Sequence, residues 1–234
     1  MGTDRPLISV VIPALNEGSE LEACLESLSR QTFRDFEIIV VDNGSTDDTI
    51  EIARRYGCRV LHEPRQGVSY ARQLGFEQAR GEIVASTDAD TLVPPDWLAL
   101  IAESFRERPD QVGVYGGIRW RGRRGLGQWL AEFLFAAFLR LNHLLGVPHF
   151  CGPNFAVRRE AFLEVGGFRG RDGRFYQVSE DLQLGLKLAH CGYVRFHQKL
   201  VAYTSPRQLG PGSWGYMWEH TKNYWSVAWL RRER

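Results

Sequence analysis

Glu82-Ile83-Val84-Ala85-Ser86-Thr87-Asp88-Ala89-Asp90-Thr91 is the stretch on which the reading of this chain turns. A short apolar run reads as a buried strand, and two carboxylates follow it two residues apart. On an extended backbone, residues i and i+2 point to the same side, so Asp88 and Asp90 would leave the C-terminal end of that strand towards one hard divalent cation. Such an ion suits a diphosphate. The competing reading, two acids capping the next helix, is met better by Asp96, beside Pro95 where that helix is expected to begin.

Working outward, the residues before this stretch alternate between two periods. Leu7 to Ile12 and Phe36 to Val41 read as strands, as does the shorter run Arg59 to His62. Between them Ser19 to Arg30 is helical, with Leu21, Leu25 and Leu28 on one face, and Asp47 to Tyr56 and Tyr70 to Ala79 are further helices. Strands and helices in alternation predict an α/β fold, a mostly parallel sheet covered on both faces. Ligands of such sheets sit at the C-terminal ends of the strands.

Bulk properties narrow the classes. With 234 residues, 44% hydrophobic and 12% aromatic, the chain has the material for one large core, and a single domain is expected. Its 29 basic and 28 acidic residues leave a formal charge of +1, which provides no overall field for nucleic acid. Cys24, Cys58, Cys151 and Cys191 lie far apart without metal spacing and read as free thiols of a reducing compartment, hence cytoplasm. The first strand follows the N-terminus too closely for a signal peptide, and no run of about 18 apolar residues suggests a spanning helix.

The other strand ends carry further polar groups. Pro13-Ala14-Leu15-Asn16-Glu17 follows the first strand and has no glycine, so the turn that cradles a dinucleotide pyrophosphate is missing. Asp42 ends the second strand and suits a base imide or a ribose hydroxyl, while Asn43-Gly44 reads as a turn and Ser45, Thr46 or Asp47 as a helix cap. Gly67 and Arg72 follow the third strand, Arg72 being either a phosphate or base contact or a solvated surface arginine.

Taken together, Ser9 to Glu17, Asp42 to Asp47, Gly67-x4-Arg72-x2-Gly75-x3-Ala79-x-Gly81-Glu82-Ile83 and Asp88-x-Asp90 resemble the family 2 glycosyltransferases of GT-A fold, in the family's order and across residues 7 to 91. The resemblance implies an inverting transferase of a nucleoside-diphosphate sugar, UDP- or GDP-linked. It assigns Pro13, Ala14, Leu15, Asn16, Glu17 and Asp42 to the nucleoside, with Gly67 and Arg72 near base or phosphates. Asp88, Ala89 and Asp90 are assigned to ribose and diphosphate, with Asp88 and Asp90 as ligands of Mg²⁺ or Mn²⁺ and Asp90 the more direct. Where many members have a second Asp, this chain has Asn43.

The second half is similar to the family's acceptor region. Cys151-Gly152-Pro153-Asn154 would border the donor sugar and acceptor, although a plain loop entering a strand has the same composition. Ser179-Glu180-Asp181-Leu182 is an ordinary helix start. The resemblance makes Asp181 the base that deprotonates the acceptor hydroxyl and gives Glu180 an orienting or acceptor contact. The family's Q-x-x-R-W motif is absent, which disfavours processive polymer synthesis, and Thr204-Ser205-Pro206-Arg207 stands in a comparable place, with Arg207 a candidate phosphate contact.

Two helices bear on the acceptor. From Leu126 to Leu145, at about 100° per residue, Leu130, Phe133, Leu134, Ala137, Phe138, Leu141, Leu144 and Leu145 share one face, and Gln128, Glu132, Arg140, Asn142 and His143 the other. Arg119, Trp120, Arg121, Arg123 and Arg124 precede it, a flank that suits anionic headgroups. Trp214, Trp218, Trp225 and Trp229 form a stripe before Arg231, Arg232 and Arg234. Either these faces pack internally or they meet a membrane. The expectation is a single transferase domain with a nucleotide-sugar half (1–118), an acceptor half (119–212) and an aromatic C-terminal helix (213–234), in peripheral contact with the inner membrane face and acting on a lipid or lipid-linked glycan. Its competitors are a non-catalytic, membrane-associated sugar-nucleotide-binding module and a sugar nucleotidyltransferase, the latter lacking a glycine-rich basic loop after the first strand.

Overall fold

A computed structural model of the chain describes residues 5–122, 125–170, 173–175 and 180–206. The β-branched run Ile8–Ala14 (β1) leads through helix Gly18–Ser29 (α1) to Phe36–Asp42 (β2). Thr49–Arg55 (α2), Arg59–His62 (β3), Val68–Gln78 (α3) and Ile83–Ser86 (β4) continue the alternation. The two-residue strand Thr91–Leu92 (β5), helix Trp97–Glu107 (α4), strand Gln111–Trp120 (β6) and helix Leu126–Leu144 (α5) follow. Phe155–Arg158 (β7), Arg159–Glu164 (α6), Glu180–Leu188 (α7) and Tyr193–Thr204 (β8) complete the described elements.

All eight strands form one sheet in the order β3-β2-β1-β4-β7-β6-β8-β5. β3, β2, β1 and β4 run parallel, as crossovers through covering helices require. β7 lies antiparallel between β4 and β6, β8 is parallel to β6, and β5 closes the edge antiparallel to β8. The anticipated α/β architecture with a mostly parallel sheet is present, and strand β6 runs across the expected boundary at residue 118.

The pleat sorts the core into two layers. Ile8, Val10 and Ile12 of β1 face Leu21, Leu25 and Leu28 of α1, Ile52 of α2 and Trp97, Ile101 and Phe105 of α4. Val11, between them in sequence, faces the opposite layer with Ala71 and Phe76 of α3, Phe162 of α6 and Leu184 and Leu188 of α7. A Cβ at Gly75 would lie 2.4 Å from a Val11 methyl, so glycine there is what lets α3 settle against the sheet. Helix α5 contributes no residue to either cluster.

Two local expectations change. β4 ends at Ser86, so Asp88 and Asp90 do not share a strand face; they lie in the turn between β4 and β5, which Thr91 closes by donating its N–H to the Asp88 carbonyl at 3.0 Å. Asp96 precedes α4 but makes no side-chain cap, and the Trp97 N–H donates instead to the Pro94 carbonyl. A backbone turn already satisfies that donor.

Candidate active site

The parallel strands β1, β2, β3 and β4 end on the same side, and their loops are tied together before any ligand is considered. Asn16, at φ +54°, accepts from the Thr46 N–H (2.8 Å) and donates its own N–H to Ser45 Oγ (3.0 Å). The Glu17 N–H donates to Thr49 Oγ1 at 2.9 Å. Asp47, anticipated as a cap of one helix, serves two helix starts, accepting from the Gly18 N–H of α1 (3.0 Å) and the Thr49 N–H of α2 (3.1 Å). Those N-termini present partial positive charge to the carboxylate. The Pro13-to-Glu17 segment therefore forms a fixed rim, with Ala14 buried, Pro13 and Glu17 half-buried and Leu15 and Asn16 exposed.

Asp42 stands at the end of β2, where its carboxylate accepts from the Gly44 and Ser45 N–H groups at 3.3 and 2.9 Å and contacts His62 Nδ1 at 3.0 Å. Burial alone would raise its pKa, but the hydrogen bonds from Ser45, His62 and Gly44 outweigh it and hold the group below its ordinary value. A cavity of about 500 Å³ opens beside it, lined also by Ile50, Arg54, Cys58, Val60, Leu61 and His62. His62 was missed in the sequence, although Asp42 and His62 are register partners at the ends of β2 and β3.

Asn43 has a different task. Its amide donates to the Glu63 and Arg65 carbonyls, both at 2.8 Å, and its oxygen accepts from the Gly67 N–H at 2.7 Å. Gly67, at φ +137°, begins α3 from a backbone conformation that few other residues adopt. The amide thus positions the turn that launches Arg72.

Arg72 is 4% exposed, so it is not a solvated surface arginine. Its guanidinium donates to Asp88 Oδ1 at 2.7 Å and to Glu180 Oε1 at 3.2 Å. Burial would depress its pKa, but Asp88, Glu180 and Asp181 together raise it. Glu180 moves up because of burial and the adjacent Asp181 charge, opposed by Arg72. Arg72 therefore joins a carboxylate of the β4 turn to one at the start of α7, two groups that lie 92 residues apart in sequence (180 − 88).

The Cys151-to-Asn154 segment closes on the same arginine. A Cβ at Gly152 would lie 2.4 Å from Arg72 Nη2, so the missing side chain is the room the guanidinium occupies. The Gly152 N–H donates to Asp181 Oδ2 (3.0 Å) and the Leu182 N–H to Asp181 Oδ1 (2.9 Å), which fixes the orientation of that carboxylate. Pro153 is half-buried in the turn before β7. Asn154 is fully buried; it donates to the Gly117 and Leu200 carbonyls (2.7 and 2.9 Å) and accepts from Trp97 Nε1 (2.8 Å). Its side chain is committed to joining β6, β8 and α4 instead of facing a sugar.

Asp90 is half-buried, and Thr204 Oγ1, at the end of β8, donates to its Oδ1 at 3.2 Å; Ala89, between the two acids, is buried. Thr204, noted in the sequence only as the start of the Thr204-to-Arg207 segment, was not expected to reach Asp90; it stands at the end of β8. Among the described residues no cluster of three or more His, Cys, Asp or Glu could hold a metal by itself. Two carboxylates nevertheless fit a hard cation whose remaining ligands are diphosphate oxygens and water. Arg207, Ser179 and the Trp214-to-Trp229 stripe lie outside the described residues.

Comparison with known proteins adds to this geometry. The profile of glycosyl transferase family 2 matches residues 9–166. A PGL/p-HBAD biosynthesis glycosyltransferase of Mycobacterium bovis is 31% identical over 189 residues, covering 78% of this chain and 69% of the relative. A glucosyl-dolichyl phosphate glucuronosyltransferase of Haloferax volcanii is 29% identical over 64% of this chain and 51% of its own length. Among solved structures, a mannosyltransferase of Pyrobaculum calidifontis in complex with GDP-Man and Mn²⁺ superposes with a TM-score of 0.72 at 27% identity, over 91% of this chain. The chain spans 60% of that protein's length.

Proposed function

This chain belongs to glycosyl transferase family 2, and on that premise we propose that it moves a sugar from a UDP- or GDP-sugar to a hydroxyl acceptor with inversion. The observation that carries this reading is the buried Arg72 bridge between Asp88 and Glu180, which brings a diphosphate-side carboxylate and an acceptor-side carboxylate around one cation. The nucleoside would lie against the Asp42 end of β2, beside the cavity shared with His62. Asp88 and Asp90 would hold Mg²⁺ or Mn²⁺ with the diphosphate, and a bound divalent ion would offset charge on the departing nucleoside diphosphate.

Asp181 would act as base. As the acceptor oxygen bonds to the anomeric carbon, the bond from that carbon to the diphosphate breaks and the acceptor proton passes to the Asp181 carboxylate. The N–H groups of Gly152 and Leu182 support this role by holding the carboxylate in one orientation. Glu180, tied to Arg72, would position the arginine and the acceptor. A lipid or lipid-linked glycan is the acceptor class we favour, with peripheral membrane contact. The glucosyl-dolichyl phosphate named for the Haloferax relative and the exposed apolar face of α5 support it.

The test is release of nucleoside diphosphate and formation of glycosylated lipid, with and without chelator. Asp181→Asn is expected to retain donor binding and lose transfer by about 10²- to 10⁴-fold, whereas Asp90→Ala loses Mn²⁺-dependent donor binding. Full transfer by Asp181→Asn would remove the base, and activity indifferent to both chelator and Asp90→Ala would remove the metal.

A further inference from the structure

Helix α5 is amphipathic as its sequence predicts, but it is turned with most of its polar side inward; Arg140, expected on that side, is instead exposed among the outer apolar residues. Glu132 and Asn142 are buried and Gln128 half-buried, whereas Leu126, Trp129, Leu130, Phe133, Leu134 and Leu141 are between 48 and 83% exposed. The inward polar groups have specific partners. Glu132 Oε1 accepts from the Trp120 N–H and Gln128 donates to the Trp120 carbonyl, both at 3.1 Å, so they satisfy the backbone where β6 ends. Leu139 is the fully buried apolar side chain of the helix.

From this arrangement we propose that the outer face of α5 lies in the interfacial layer of an anionic lipid bilayer. Three observations favour that occupant. The exposed large apolar residues from Leu126 to Leu145 spread over an arc of roughly 160° at 100° per residue, wider than the seam one partner helix would cover. Charge is strongly one-sided here: between Gln111 and Val157 the chain has Arg119, Arg121, Arg123, Arg124 and Arg140 against a single acid, Glu132, which is turned inward. Arg119 and Arg140 are exposed, and Arg121 pairs with Glu20. Finally, no described helix is long and apolar enough to cross a membrane, and α5, at about 28 Å, has the length and the Trp129–Phe133 stack, 5.8 Å between centroids, to lie along one.

The placement specifies how an acceptor would arrive. α5 ends at Leu144, and eight residues later Gly152 touches Arg72 and Asp181. A helix resting on the surface would therefore present the Gly152 side of the site to lipid-borne hydroxyls, which rests on the glycosyl-transfer reading above. The lipid contact itself does not depend on that reading.

The test is sedimentation of the full chain with sucrose-loaded vesicles of phosphatidylglycerol or of phosphatidylcholine, at two salt concentrations. Wild type is expected to partition onto phosphatidylglycerol, more weakly at high salt, and the triple variant Leu130→Glu, Phe133→Glu, Leu141→Glu to lose binding by roughly tenfold or more. Arg119→Glu with Arg140→Glu should weaken binding to phosphatidylglycerol and leave phosphatidylcholine unchanged. Binding of Mn²⁺ and UDP or GDP, measured alongside, should be the same in all variants; its absence from wild type would count against the transferase reading and leave the vesicle result standing. Three outcomes overturn the lipid proposal: no binding by wild type, equal binding by the triple variant, or a triple variant that only changes oligomeric state or melting temperature. The last would assign the face to a second copy or to the chain's own residues 207–234.

Discussion

Asn43 spends both amide hydrogens on carbonyls and its oxygen on the Gly67 N–H. A carboxylate there would set negative charge against two carbonyl oxygens in a buried place. Asn43→Asp is therefore expected to lower stability by about 2 kcal/mol in urea unfolding, and an unchanged midpoint would show that the loops are held some other way. Gly152 is confined just as closely. Its substitution by Ala would push a methyl into the Arg72 guanidinium, so Gly152→Ala should slow transfer by roughly tenfold to a hundredfold with a native circular dichroism spectrum. Transfer at the wild-type rate would mean that the arginine has room to give.

For whole elements, the periods written in the residues were good guides to position and, in α1, to facing, but they left the facing of α5 open. The strands from β1 to β4 and helices α1, α2 and α3 appear within about two residues of where pattern places them, because burial on a sheet enforces period 2 and on a helix 3.6. Helix α5 appears where its period predicts, yet its orientation is set by the unpaired backbone of Trp120, which needs Gln128 and Glu132. Glu132→Ala should accordingly cost about 1–3 kcal/mol, whereas Leu134→Gln on the outer face should stay within about 0.5 kcal/mol. The reverse order in thermal melts would place the apolar face inward. The segment holding Asp88 and Asp90 was expected to be extended, with both carboxylates on one side, but it is a turn, and two acids two residues apart look the same in either conformation.

Across the whole molecule, a few acids are perturbed by the fold, with opposite pH dependence. Asp47 is held down first by its Thr49 hydrogen bond and Glu63 by Arg65, and Asp42 is held down despite burial. Their native pKa values lie below the unfolded ones, so their stabilisation is present above pH about 4 and is lost as pH falls through the native values. Glu180 has the opposite sign: raised by burial and by Asp181, it stabilises most below pH about 4.5 and that contribution disappears as pH rises through its native value. Melting temperature should thus drop on acidification below pH about 4, and Glu180→Gln should gain stability relative to wild type as pH is raised from about 4.5 to 8. A difference independent of pH would show that Glu180 titrates as it does in the unfolded chain.

The α/β alternation, the strand ends where Asp42, Asp88 and Asp90 stand, and the family were all legible in the residues alone, because burial periodicity and loop chemistry are local properties carried by neighbouring residues. It took the folded chain to show that Arg72 links Asp88 to Glu180, that Gly152 leaves the room it occupies, that Asn154 is spent on the fold, and that α5 turns its apolar side outward. The first three depend on groups far apart along the chain and the last on where β6 leaves the Trp120 backbone, all competing for the same hydrogen bonds or the same few ångströms of space, and no local pattern encodes the outcome of that competition.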